Sequence, residues 1–311
     1  MRILIVSGAG GGTSTKSVGK IFSFKRIWWS IEKNNIEYKL VSELDYVVGF
    51  PTKQLKKYFT TRNKVKKLVN DFKPDLVFID RQGYFGLEIL KMKIPLFVLL
   101  RGHYWSEIEY AKNTIYKNKI MQKVIDSRKK IAEQVFAEST EILPICNYLK
   151  NIVKEYHPTQ KSSVFIEGVD STKWYKSEGM KLEHPCVGLL QDANWWRKTK
   201  EMLTLEKVIQ SMPKVHFYWA GDGQYKDEIL KVLNKFENFH WLGSLSYPEK
   251  VRDYLSELDI YAIITGMDTT PLSLKEAQLM ENPVIATNVG GNSEIMVDGK
   301  TGYLVEEGNY K

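Results

Sequence analysis

Apolar residues in this chain arrive in short unbroken runs, separated by longer stretches in which they recur every three or four positions. RILIVSG (2–8), DLVFID (75–80), IPLFVLLRG (94–102) and EILPIC (141–146) carry almost no polar alternation. Such runs predict strands buried on both faces, the kind that parallel sheets contain when helices cover them. A second series follows: PCVGLL (185–190), VHFYWAGDG (215–223), FHWLGS (239–244), DIYAIITG (259–266), NPVIATN (282–288) and GYLVEE (302–307). Helical spacing, as in RDYLSELD (252–259) and LSLKEAQLMEN (272–282), separates them. Two βα series in tandem, joined through EGVDSTKWYKSEGMKLEHP (167–185), predict two Rossmann-like, doubly wound α/β domains facing across a cleft. The boundary is placed between residues 168 and 169.

Composition fits that architecture. A length of 311 residues suits two cores, and 43% hydrophobic content with 8 Trp, 17 Tyr and 13 Phe excludes a disordered chain. Cys146 and Cys186 stand apart in apolar surroundings without metal-ligand spacing, so they are expected as buried thiols in a reducing compartment. No apolar run approaches the ~20 residues that span a bilayer, which points to a cytoplasmic or peripheral membrane protein. The net charge of +8 hides an asymmetry: residues 1–168 hold 29 Lys and Arg against 16 Asp and Glu, and residues 169–311 hold 16 against 21. The first half is therefore expected to face something anionic.

Between the first strand and a basic helix lies GAGGGTSTKS, Gly8 to Ser17. A P-loop would need a glycine where Thr15 stands, and a dinucleotide loop would need one at Thr13. The loop can still turn amides such as those of Gly11 and Gly12 toward an anion, with Lys16 adding charge. Farther on, the strand IYAIITG gives way to the polar loop DTTP and then to a helix, with Pro271 expected in its first turn. The amides of Thr270, Leu272, Ser273 and Leu274 would surround a helix N-terminus, a natural diphosphate site. Glu276, about one turn inside, can accept two ribose hydroxyls, and Asp268 can reach sugar hydroxyls on the other side.

The segment GMDTTPLSLKEAQLMENPVIATNVGGNSEIMVDGKTGYLVEEGN (266–309) closely resembles the donor-binding segment of family 4 retaining glycosyltransferases with the GT-B fold. Asp268 and Glu276 hold that family's two acidic positions, with seven residues between them, and the VGG loop and DGKTGYLV turn follow in order. FIEGVDSTKW, YWAGDGQYKDEI and FHWLGSLSYPEKVRDYLSELDIY extend the resemblance from about Ile166 to Asn309; before that it rests on the glycine loop and LLRGHYWSE. It implies a nucleotide-diphosphate sugar, a UDP- or GDP-sugar, as donor, with no cofactor and no metal. It also implies a catalytic set of His103, Asp268 and Glu276 and front-face transfer with retention. A basic pair on the diphosphate belongs to the family pattern. Leu189 stands where its arginine would be, and Arg197 is assigned the lysine's position, with Lys198 or Lys200 as substitutes. Arg101 and Glu107 are weaker candidates near His103.

The acceptor is addressed by the basic half. Residues 53–73 hold eight basic residues and one acid. In KIFSFKRIWWSIEK (20–33), Ile21, Phe24, Trp28 and Ile31 form one helical stripe, while Phe22 and Trp29 fall opposite it near Lys25 and Arg26. An aromatic pair beside cations fits an anionic membrane surface and a lipid-linked glycan acceptor, with Lys16, Phe22, Arg26, Trp29 and Arg101 as acceptor or membrane contacts. Three competing readings are a GT-B nucleotide-sugar 2-epimerase, a basic nucleic-acid-binding protein and a P-loop ATPase. The acidic spacing opposes the first, the absence of a nucleic-acid-binding motif the second and the missing glycine the third. Relatives usually continue past VEEGNYK into further helices, so the chain is expected to be either naturally short or truncated at its C-terminus.

Overall fold

The computed structural model describes residues 1–8, 36–47 and 55–310. Gly11, Gly12 and Lys16 of the glycine loop, and Phe22, Arg26 and Trp29 of the aromatic segment, lie outside the described residues. The chain divides into two compact units, Met1–Glu167 and Gly168–Lys311.

The first unit holds a five-stranded sheet in the order β2-β1-β3-β4-β5. Its strands are β1 (Arg2–Ser7), β2 (Glu37–Ser42), β3 (Leu76–Ile79), β4 (Leu96–Leu100) and β5 (Glu141–Pro144). Every ladder is parallel. Leu4, Ile5 and Val6 of β1 are buried, as an uninterrupted apolar strand between two neighbours must be. Long helices such as Lys119–Glu138 supply the covering layer through Val135 and Phe136. β2 is the strand that the apolar runs do not announce: EYKLVS is an edge strand with Glu37, Lys39 and Leu40 exposed.

The second unit holds a six-stranded sheet in the order β11-β10-β9-β6-β7-β8. These are β6 (Cys186–Leu190), β7 (His216–Ala220), β8 (Phe239–Gly243), β9 (Ile260–Ile263), β10 (Val284–Thr287) and β11 (Tyr303–Val305), again all parallel. The chain builds outward from β6 through β7 and β8, then returns and builds the other way from β9. Where the order reverses, the loops leaving the carboxyl ends of neighbouring strands diverge to opposite faces and leave a crevice. That switch point lies between β6 and β9 here, and between β1 and β3 in the first unit. Gln191, just past β6, spans the second unit's switch point: its Nε2 donates to the Ile264 carbonyl at 2.9 Å and its Oε1 accepts from the Ile264 amide at 3.1 Å.

Close packing behind β6 requires glycine at its centre. A Cβ on Gly188 would lie 2.3 Å from Leu258 Cδ1 and 2.6 Å from Tyr254 Oη. Tyr254 cannot retreat, because it is fully buried and its hydroxyl donates to the Tyr218 carbonyl at 2.8 Å. Gly188→Ala should therefore destabilise the protein by about 1–3 kcal/mol, read as a lowered denaturant midpoint with an unchanged slope.

Candidate functional site

The helix Leu272–Leu279 begins at the switch point of the second sheet. Pro271 is its N-cap, with φ −62° and ψ 128°, one residue before the first turn in which the sequence places it. Proline offers no side chain to cap the first amides, so the helix start keeps a positive end directed out of the sheet's carboxyl edge. Thr270 is buried before it, and its Oγ1 has no hydrogen-bond partner among the described residues.

Two carboxylates flank this start. Glu276 lies one turn inside the helix and is only 2% exposed. The Tyr247 hydroxyl donates to its Oε1 at 2.7 Å, and the Tyr247 ring packs against the buried Trp174. Asp268 precedes the helix, its Oδ1 accepting from the Thr269 amide at 2.9 Å and its Oδ2 lying 2.8 Å from Lys198 Nζ. Burial alone would push the lysine toward neutrality, but the charges of Asp268 and Asp192 outweigh it and hold the ammonium above its ordinary pKa. Lys198 is therefore a firmly charged cation beside the helix start. Tyr261, beneath the site, donates to Ser273 Oγ at 2.8 Å. Its phenol is pushed well up, first by burial and then by the charges of Glu276 and Asp268.

One glycine brings the cation and the acid together. A Cβ on Gly266 would lie 2.5 Å from the Arg197 carbonyl oxygen, and the Gly266 amide donates to the Lys198 carbonyl at 3.3 Å. The turn carrying Arg197 and Lys198 thus rests on the loop carrying Asp268. Of the three cations considered from sequence, Lys198 points inward, whereas Arg197 and Lys200 are exposed. Leu189 is fully buried in the core and places no charge near the site. Leu272 and Ser273 lie half-buried in the first helical turn and Leu274 is buried behind it.

In the first unit, His103 follows β4 and caps the helix Tyr104–Thr114, its Nδ1 accepting from the Ser106 amide at 3.2 Å. That bond assigns the neutral ring proton to Nε2, leaving Nε2–H to donate. Arg101 joins the buried carboxylates of Asp80 and Glu167, so its guanidinium serves an internal ion network. Glu107 folds back against Gly102, where a Cβ would lie 2.2 Å from its Oε1. A cavity of about 340 Å³ opens nearby, lined among others by Glu43, Arg81, Tyr84, Tyr104 and Arg128. The apolar runs do not mark it; Arg81 and Glu43 simply follow β3 and β2. Gly8, the first glycine of the loop, lies under the Arg81 stem, 2.5 Å from Arg81 Cγ at the position a Cβ would take.

Sucrose-phosphate synthase from Thermosynechococcus elongatus superposes with a TM-score of 0.77 at 11% identity, covering 99% of this chain and 86% of that one. HepE from Anabaena, solved in complex with UDP-glucose, superposes with a TM-score of 0.65 at 14% identity, covering 100% and 86%. Likeness at this level shows the fold, which is GT-B. Residues 187–311 match the family model described as glycosyl transferases group 1, a stretch that falls within the second unit and overlaps the segment whose resemblance to glycosyltransferases is read from sequence. The sulfoquinovosyl transferase SQD2 of Arabidopsis thaliana is 28% identical over 153 residues, 46% of this chain and 30% of that protein. The uncharacterized glycosyltransferase MJ1178 of Methanocaldococcus jannaschii is 26% identical over 223 residues, 70% and 56%. This chain spans less than two thirds of either relative's length.

Burial holds the Glu43 carboxyl above its ordinary range, against the lowering pull of Arg81 and the Phe85 amide. A carboxyl raised on folding contributes stability below its unfolded pKa, and that contribution is lost as pH rises through the folded value. Relative to wild type, Glu43→Gln should therefore gain stability as pH is raised from about 4 to about 7, measured by urea unfolding at each pH.

Proposed function

We propose that this protein is a retaining glycosyltransferase that moves a sugar from a UDP- or GDP-sugar to a glycan acceptor. The observation that carries this is Glu276, a carboxylate 2% exposed one turn inside a helix whose first turn lacks a side-chain cap. A buried acid needs a reason to remain, and ribose hydroxyls donating to it from a diphosphate seated on the helix start supply one. Lys198 and the amides of Ser273 and Leu274 then meet the charge that grows on the departing diphosphate. In front-face transfer the anomeric C–O bond to the diphosphate breaks. The acceptor oxygen bonds to the same face, and its proton passes to the diphosphate oxygen. Products are the glycoside with retained configuration and a nucleoside diphosphate. The work left to the protein is positioning and charge stabilisation, which needs no metal at the reacting centre. His103 Nε2–H is assigned to the donor sugar, and Asp268 to sugar hydroxyls when Lys198 turns to phosphate.

The acceptor is assigned to the first unit, through the cavity beside Arg81 and Arg128. Two guanidiniums and two tyrosines suit a glycan carrying a phosphate or carboxylate. Relatives named for O-antigen and polysaccharide synthesis support a glycan, and the basic excess of residues 1–168 supports a lipid-linked one presented at an anionic cytoplasmic membrane face. No described helix is long and apolar enough to cross a membrane.

Sugar transfer to a polyprenyl-diphosphate glycan, assayed in chelator with UDP- and GDP-sugars, should give a product whose anomeric configuration by NMR matches the donor. Glu276→Ala should lower kcat/KM about 10- to 100-fold, the ~1.5–3 kcal/mol of hydrogen bonds to a charged group. An inverted product, or Mg-ATP hydrolysis without sugar transfer, would overturn the assignment.

A further inference from the structure

The nucleotide candidate occupies the carboxyl edge of the second sheet. At the amino edge, four side chains capable of binding a metal or supporting its ligands converge from distant parts of the sequence. His184 precedes β6, Cys186 opens it, Glu257 ends the helix Glu249–Glu257 and Asp259 immediately precedes β9. The parallel pairing of β6 with β9 brings their starts together. His184 Nδ1 lies 2.8 Å from Asp259 Oδ2 and 3.7 Å from Cys186 Sγ. The ligand atoms of His184, Cys186 and Asp259 all fall within 4.8 Å of one another.

We infer that His184 Nδ1, Cys186 Sγ and a carboxylate oxygen of Asp259 form a zinc site, with water at the fourth position. A tetrahedral zinc with Zn–N of about 2.1 Å and Zn–S of about 2.3 Å separates nitrogen from sulfur by about 3.6 Å. The separation here is 3.7 Å. Nitrogen and oxygen ligands would stand about 3.4 Å apart. They are 2.8 Å apart now, and the side chains of His184 and Asp259, 42% and 47% exposed, are free to open.

The surrounding contacts support the same arrangement. His184 Nε2 is 3.1 Å from Glu257 Oε1, so metallation at Nδ1 leaves Nε2–H donating to a carboxylate, the usual orientation device for a zinc-bound imidazole. The Cys186 amide donates to Asp259 Oδ2 at 2.7 Å and holds that carboxylate toward the strand start. A nitrogen, sulfur and oxygen set favours zinc over magnesium or calcium. The sequence offers no cysteine spacing for it, because the third ligand lies 73 residues beyond Cys186. The ion would pin the segment before β6 to the turn entering β9, away from the helix start, and would take no part in sugar transfer.

The competing arrangement is an imidazolium held between Asp259 and Glu257 with an uninvolved thiol. Cobalt distinguishes the two. Chelated protein of residues 1–311 titrated with Co²⁺ should develop a near-ultraviolet thiolate-to-cobalt band saturating at one equivalent. The band should vanish in Cys186→Ser, persist in Cys146→Ala and persist in Glu276→Ala, which separates this site from the nucleotide reading. Glu257→Gln should weaken Zn²⁺ affinity by about 10- to 100-fold. His184→Gln, at an exposed position, should abolish one-equivalent binding even if Cys186→Ser folds poorly. No band in wild type, or a band that survives Cys186→Ser, overturns the proposal.

Discussion

The second unit depends on β6 lying beside β9. Their register sets Gly188 against Tyr261 and Leu189 against Ala262, although some seventy residues separate them in the chain. At the carboxyl end, this pairing seats the 191–198 turn against the 264–271 loop, just ahead of the helix Leu272–Leu279. At the amino end, it gathers His184, Cys186 and Asp259. Gln191 fastens the pairing through both of its amide groups, and Gly188 lets Tyr254 and Leu258 close behind it.

Charge is placed sparingly around that helix start. A carboxylate as buried as Glu276 is tolerated only with donors, and Tyr247 supplies one described donor. Lys198 and Asp268 satisfy each other at 2.8 Å, so neither is an unpaired buried ion. A pair of this kind has a second use. In the proposed function, an anion arriving at the helix start would compete for the lysine and free the acid for hydroxyl donors, so that binding would rearrange charges without creating them. In the first unit, Arg101 holds the buried Asp80 and Glu167, and Arg81 and Arg128 line a cavity.

Much of this was legible in the sequence because parallel strands buried on both faces must be apolar throughout. Every such run, from RILIVSG to GYLVEE, became a strand. β2 escaped because an edge strand with Glu37 and Lys39 outward carries a polar pattern. The position of the helix start was legible, with Asp268 before it and Glu276 one turn inside, since a polar loop and a proline between a strand and helical spacing mark such a start. Which of Arg197 and Lys198 faces inward was not, because neighbouring residues on one short turn differ only in direction, and the Gly266 contact decides it. Tyr247 and Gln191 were invisible for a different reason: each acts on a partner 29 or 73 residues away, and local pattern holds no trace of such pairs.

Calorimetric titration of a nucleoside diphosphate and its 2′,3′-dideoxy analogue into wild type and Glu276→Gln tests the carboxylate most directly, with uridine and guanosine pairs run in parallel. If Glu276 receives the ribose hydroxyls, removing them weakens binding at least about tenfold in wild type and little in the variant. Equal losses in both proteins would contradict that role and leave the buried acid as a structural partner of Tyr247.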